Sequence, residues 1–180
     1  MKHQNHLITA DLNINKDTTP ILIETGTYQG EGSKAWSEIF DKVYTIELSD
    51  SLYSYCIETY KDVPNIEFLQ GHSPDLLKDL VKNIDEPYTL FLDAHGSGGS
   101  TTFDSSVGRL RSPVLLELES VKNNIPKVII IDDLTDFEQI DSYPSLDSIT
   151  LKVSELGDYE SSKYFPEGHT SKGMFVFKLK

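Results

Sequence analysis

Residues able to do chemistry fall at regular intervals along this chain, each after an apolar run. Glu24 follows Ile21-Leu22-Ile23, Glu47 closes Lys42-Val43-Tyr44-Thr45-Ile46, and Gly71-His72 follow Asn65-Ile66-Glu67-Phe68-Leu69-Gln70. Asp93-Ala94-His95 follow Tyr88-Thr89-Leu90-Phe91-Leu92, and Asp132-Asp133 follow Lys127-Val128-Ile129-Ile130-Ile131. Short β-branched apolar runs of this kind read as buried strands. One acid closing a strand is usually an ordinary loop residue. Several acids at one edge of a parallel sheet sit where open α/β sheets bind ligands.

After Glu24 comes Thr25-Gly26-Thr27-Tyr28-Gln29-Gly30-Glu31-Gly32-Ser33, a glycine-rich turn leading into a helical pattern. Strand, tight turn and helix start form the arrangement that receives a nucleotide-like ligand. The spacing departs from the dinucleotide fingerprint G-x-G-x-x-G. A carboxylate at Glu24 would repel a pyrophosphate and attract a cationic amine. Glu47 lies about 20 residues beyond the turn, where nucleoside-binding α/β folds place an acid on the ribose hydroxyls.

The elements that must hold these residues alternate. Helices are expected over 33–40, 51–60, from Pro74 through Val81, 113–123 and 146–156, with Ser49 and Asp50 as a cap and Ser73-Pro74-Asp75 as another, Pro74 at the first helical position. Tyr159–Phe165 and Met174–Leu179 read as two strands joined through Pro166-Glu167-Gly168-His169, with no helix between them. That predicts a mainly parallel sheet whose last strand is antiparallel. Residues 1–19 read as a surface arm or lid, and 20–180 as one domain. Trp36 reads as core.

Bulk composition adds mild constraints. The chain has 180 residues, 38% hydrophobic, and a formal charge of −13. That length suits a single domain with a real core, and the charge disfavours nucleic-acid backbones and anionic membranes as partners. A small-molecule partner fits better. A single cysteine, Cys56, permits no internal disulfide. With neither a signal-peptide pattern nor a long apolar run, it leads us to expect a cytoplasmic protein.

Glu24-x-Gly26-x-x-x-Gly30-x-Gly32 resembles motif I of the class I S-adenosylmethionine-dependent methyltransferases. Glu47, Phe68-Leu69-Gln70-Gly71, Phe91-Leu92-Asp93-Ala94-His95, Pro113–Glu119 and Ile130–Asp133 follow in that family's order, so the resemblance covers roughly residues 20–180. It implies an α/β, Rossmann-like three-layer sandwich with a seven-stranded, mostly parallel sheet and an antiparallel last strand. It implies S-adenosylmethionine as cofactor, with Glu24 and Gly26 at its amino-acid end and Glu47 on the ribose. Gly71, His72 and Ser73 would border the adenine, although the family commonly has Asp where His72 stands. Thr27, Tyr28, Gly30, Leu48 and Asp93 would complete the cofactor surface, with Tyr28 as a cover or as simple packing.

Asp93, Asp132 and Asp133 resemble the divalent-metal site of catechol-type and sugar O-methyltransferases. All-oxygen ligands suit Mg²⁺, which would chelate two acceptor oxygens. The competing reading is a helix cap and a hydrogen-bonded carboxylate. His95, two residues after Asp93, is a candidate base, since histidine titrates near pH ~6.5; Asp93 and His95 are thus the catalytic candidates. The expected activity is methyl transfer to a hydroxyl of a small acceptor such as a sugar or polyol, with Mg²⁺ assistance as an option. The alternative is a non-catalytic cofactor-binding module acting through a partner. A homodimer is compatible with either. The arm and the loop 96–112 would shape the acceptor pocket, Arg109 and Arg111 would form surface ion pairs or, alternatively, pair with an acidic substrate group, and His169 has no assigned role.

Overall fold

Six strands point one way and one points back. The computed structural model describes residues 2–95, 112–166 and 172–180, with backbone alone for 2–5 and 7. Arg109, Arg111, His169 and nearly all of the 96–112 loop therefore lie outside the described residues. Strands β1 (Ile21–Thr25), β2 (Lys42–Glu47), β3 (Ile66–Gln70), β4 (Tyr88–Leu92), β5 (Val128–Ile131), β6 (Tyr159–Tyr164) and β7 (Met174–Leu179) form one sheet, ordered β3-β2-β1-β4-β5-β7-β6. β7 runs antiparallel to both β5 and β6, and the remaining pairs are parallel. The expected sheet and its reversed last strand are both present.

Alternation along the strands feeds two cores. Ile21, Ile23, Leu90, Leu92, Ile129 and Ile131 face one side, where they meet Leu77, Leu118, Ile149 and Val153. Those four come from α4 (Ser73–Leu80), α5 (Val114–Ser120) and α7 (Leu146–Leu156). Leu22, Phe91, Val128 and Ile130 face the other side, against Trp36 and Phe40. Trp36 belongs to α2 (Glu31–Trp36), is buried, and sets its ring 5.3 Å from that of Phe91. α3 (Asp50–Thr59) packs on β2 and β3, with Ser49 Oγ accepting from the Leu52 N–H.

Three features differ from the sequence reading. The segment expected as an arm holds helix α1 (Lys2–Asp11), and Ile8, Leu12 and Ile14 are buried in the same core as Trp36. Those three apolar residues, scattered among polar ones, produce little periodicity, but burial recruits them. α4 begins one residue earlier than expected, with His72 at the cap and Pro74 at the second helical position. Finally, α6 (Leu134–Gln139) was not anticipated: it is under two turns long, and only Leu134 and Phe137 are buried. No helix among the described residues is long and apolar enough to cross a membrane.

Candidate functional site

The strand order reverses between β1 and β4, and at that switch point an open α/β sheet leaves a crevice beyond its carboxyl edge. Gly26 lies there with φ +87, and a Cβ on it would come 2.4 Å from the carbonyl oxygen of Asp93. Only glycine allows that approach at that dihedral. Tyr28 (φ 52) and Gly30 (φ 75) are also left-handed, so the chain turns tightly into α2. The Gly26 and Thr27 amides donate to the Ile46 carbonyl at 3.0 and 3.3 Å. Together these bonds pin the turn to the end of β2.

Glu47 sits at that end. Its Oε2 accepts the Tyr28 N–H and its Oε1 accepts the Ser49 N–H, both at 2.8 Å. Each carboxylate oxygen has two lone pairs, so one N–H apiece fixes the group without exhausting it. Leu48, beside it, is partly exposed, as is Tyr28. Gly71, with its N–H on the Glu47 carbonyl at 2.9 Å, follows β3 at the same edge.

Two other expected cofactor contacts, Glu24 and Ser73, are turned inward. Glu24 is only 4% exposed. It accepts from Ser33 Oγ and, at 2.7 Å, from Thr45 Oγ1, whose hydroxyl also lies 2.6 Å from that of Thr27. Burial pushes its carboxyl up to about 7, against the pull of those hydroxyls. Its work here is to brace β1 against β2 and α2. Ser73 donates its hydroxyl to Glu117, a buried carboxyl on α5 that burial likewise raises to about 7. His72 Nδ1 pairs with Asp75 at 2.9 Å.

Across the crevice the β4 and β5 strands end with their apolar runs, at Leu92 and Ile131, so Asp93, His95, Asp132 and Asp133 all lie in loops. The two consecutive aspartates diverge. Asp132 Oδ1 accepts the N–H of Asp133 at 2.8 Å, while Asp133, left-handed at φ 53, reaches His95 Nε2 at 2.9 Å. Asp93 Oδ1 stands 3.5 Å from the same nitrogen. The His95 side chain is 4% exposed, with the edges of Phe137 and Tyr143 against its ring.

These carboxyls differ in character. Burial, reinforced by Asp132 and Asp133, drives Asp93 well above the ordinary carboxyl range. Burial also raises Asp132, to about 6. For Asp133, burial is outweighed by the hydrogen bonds and charges of His95 and Lys172, and its carboxyl is held below its ordinary value. The expected set Asp93–Asp132–Asp133 is thus not the tightest group. Among the described residues, the potential metal donors within 4.8 Å of one another are those of His95, Asp133 and Asp136. Lys172 Nζ lies on two of them, 3.2 Å from Asp133 Oδ2 and 2.7 Å from Asp136 Oδ2.

Sequence reasoning missed Ser33, Thr45, Glu117, Asp136 and Lys172. Glu117 had a signal: with Val114, Leu118 and Val121 it occupies the buried stripe of a 3.6-residue period. Lys172 had none.

No protein-family model matches the sequence, and no curated protein matches it at a significant level. Solved structures do match in three dimensions. A putative methyltransferase from Streptococcus mutans in complex with SAH is 15% identical with a TM-score of 0.59, over 97% of each chain. A putative caffeoyl-CoA O-methyltransferase from Staphylococcus aureus is 16% identical with a TM-score of 0.62, over 98% of this chain and 83% of that one. An O-methyltransferase from Bacillus cereus in complex with SAH is 14% identical with a TM-score of 0.62, over 98% of this chain and 81% of that one. The fold is that of the class I methyltransferases. At such identities the class I methyltransferase likeness extends to architecture, and the chemistry has to be argued from the crevice.

Proposed function

We propose that the chain binds S-adenosylmethionine in the crevice between β1 and β4 and transfers its methyl group to a hydroxyl of a small acceptor such as a sugar or polyol. The observation carrying this reading is the left-handed turn at Gly26–Gly30, bonded to Glu47 on one side and pressed on Asp93 on the other. The residues fit the nucleoside end: Glu47 is anchored by two amides yet keeps lone pairs for a ribose diol. S-adenosylmethionine supplies an electrophilic methyl group when bound. Neighbours solved with SAH support the choice of cofactor, and those named O-methyltransferases support oxygen as the acceptor atom.

In this reading His95 takes the proton of the acceptor hydroxyl. Asp133 accepts from Nε2–H, which leaves Nδ1 as the basic nitrogen of the neutral ring. Phe137 and Tyr143 hold the imidazole plane and restrict water around it. No divalent ion enters the reading, because a lysine ammonium already lies on the carboxylates best placed to hold one.

The experiment is calorimetric titration with S-adenosylhomocysteine, followed by transfer of labelled methyl groups to a panel of diols and sugars. Saturable binding and labelled product support the reading. His95→Ala should then keep cofactor affinity and lose about 10²-fold or more in turnover. Binding without transfer to any acceptor would instead favour a non-catalytic cofactor module. No binding at all would sink the proposal.

A further inference from the structure

Four carboxyls gather where β4 and β5 end: Asp93, Asp132, Asp133 and Asp136. Such a cluster needs positive charge, and a fold of this kind commonly suggests a divalent ion. The chain has another solution. The N–H groups of Leu134 and Thr135, at the start of α6, donate to the carbonyls of Gly173 and Lys172 at 2.9 and 3.1 Å. These bonds fasten the residues before β7 onto the first turn of α6. Gly173 is left-handed at φ 76, and a Cβ there would come 2.4 Å from the Phe165 ring, so the turn has little freedom. Lys172 is thereby placed over Asp133 and Asp136, and Asp133 Oδ2 receives both Lys172 and His95.

We propose that Lys172 is the built-in cation of this cluster, and that its ammonium keeps a divalent ion out of the His95–Asp133–Asp136 donor set. A metal bound there would sit within a few ångströms of a fixed positive charge and would have to displace its hydrogen bonds. With one imidazole beside two carboxylates, the donor set suits Mn²⁺ better than Mg²⁺, which dehydrates reluctantly and demands near-ideal octahedral oxygen ligation. Lys172 acts on His95 through Asp133, which makes it a positioning residue. The consequence for turnover, that no divalent ion is needed, rests on the methyl-transfer reading. The exclusion of metal does not.

The test therefore needs neither cofactor nor acceptor. Mn²⁺ alone is titrated calorimetrically into the wild-type protein and into Lys172→Met, Lys172→Gln and Lys172→Arg, each first checked for folding by thermal melting. Wild type and Lys172→Arg, which keeps the charge, should give no saturable heat. Lys172→Met and Lys172→Gln should bind one ion about tenfold or more tightly than wild type, and adding Asp136→Asn should abolish the gain. Mn²⁺ binding to wild type as tight as to Lys172→Met would overturn the proposal. So would folded neutral variants that still bind none. Because S-adenosylhomocysteine is titrated separately, loss of the cofactor reading would leave this result intact.

Discussion

The backbone N–H of Tyr28 donates to Oε2 of Glu47 at 2.8 Å, joining the left-handed turn after β1 to the acid that ends β2. One side chain therefore sets the shape of the turn and, in the proposed reading, meets the ribose of the cofactor. Glu47→Ala removes both at once. S-adenosylhomocysteine affinity should fall about tenfold to a hundredfold, as expected for losing hydrogen bonds to a charged group. Calorimetry reads the change directly, and unaltered affinity would remove Glu47 from the site.

Gly26→Ala tests the close approach of β1 and β4. The added methyl meets the Asp93 carbonyl at 2.4 Å, and the φ of +87 is unfavourable for alanine whatever the space. Stability should drop by roughly 2 kcal/mol or more. Urea unfolding is the measurement, and a change below about 0.5 kcal/mol would mean that the turn is not packed as described.

Stability should depend on pH through two enclosed glutamates. Glu24 and Glu117 are raised from 4.5 to about 7 by burial. Between those values the unfolded chain binds fewer protons than the folded one, so stability falls as pH rises across that window. The loss between about pH 5 and pH 8 should exceed roughly 1 kcal/mol, read as a fall in the urea midpoint. Glu117→Gln should remove its share of the slope. A wild-type stability that climbs across this interval would contradict the enclosed positions of these carboxyls.

Helix α1 should behave as part of the core. Ile8 is 1% exposed against the layer that contains Trp36. Ile8→Ala should cost about 2–4 kcal/mol, by lost transfer energy and the space left behind. Thermal or urea unfolding checks it, and an effect within a few tenths of a kcal/mol would return the segment to the status of a loose arm.

What could be read from the sequence followed the strength of each local pattern. β1, β4 and β5 announced themselves because strands buried on both faces are nearly continuous apolar runs, and α7 matched its expected limits because its apolar residues recur at helical spacing. The glycine turn was legible because tight turns restrict residue choice. The fate of the acids was not. Whether Glu24 faces a ligand or a hydroxyl from α2 depends on Ser33 and Thr45, which no spacing rule connects to it. Consecutive acids cannot point the same way on a strand, but nothing local told that the left-handed backbone of Asp133 would turn it toward His95. Lys172 lies 39 positions beyond Asp133, and only the sheet order brings them together.

That order also has a temporal meaning. β7 is the last strand of the sheet in chain order, yet it lies between β5 and β6. Until residues 174–179 have left the ribosome, β5 has an open edge, exposed to improper pairing during synthesis. Lys172 lies two residues before that strand. The acids at the ends of β4 and β5 are therefore made before the lysine that pairs with Asp133. The ion pair at Asp133 and Asp136 thus forms with the same segment that covers the edge of β5.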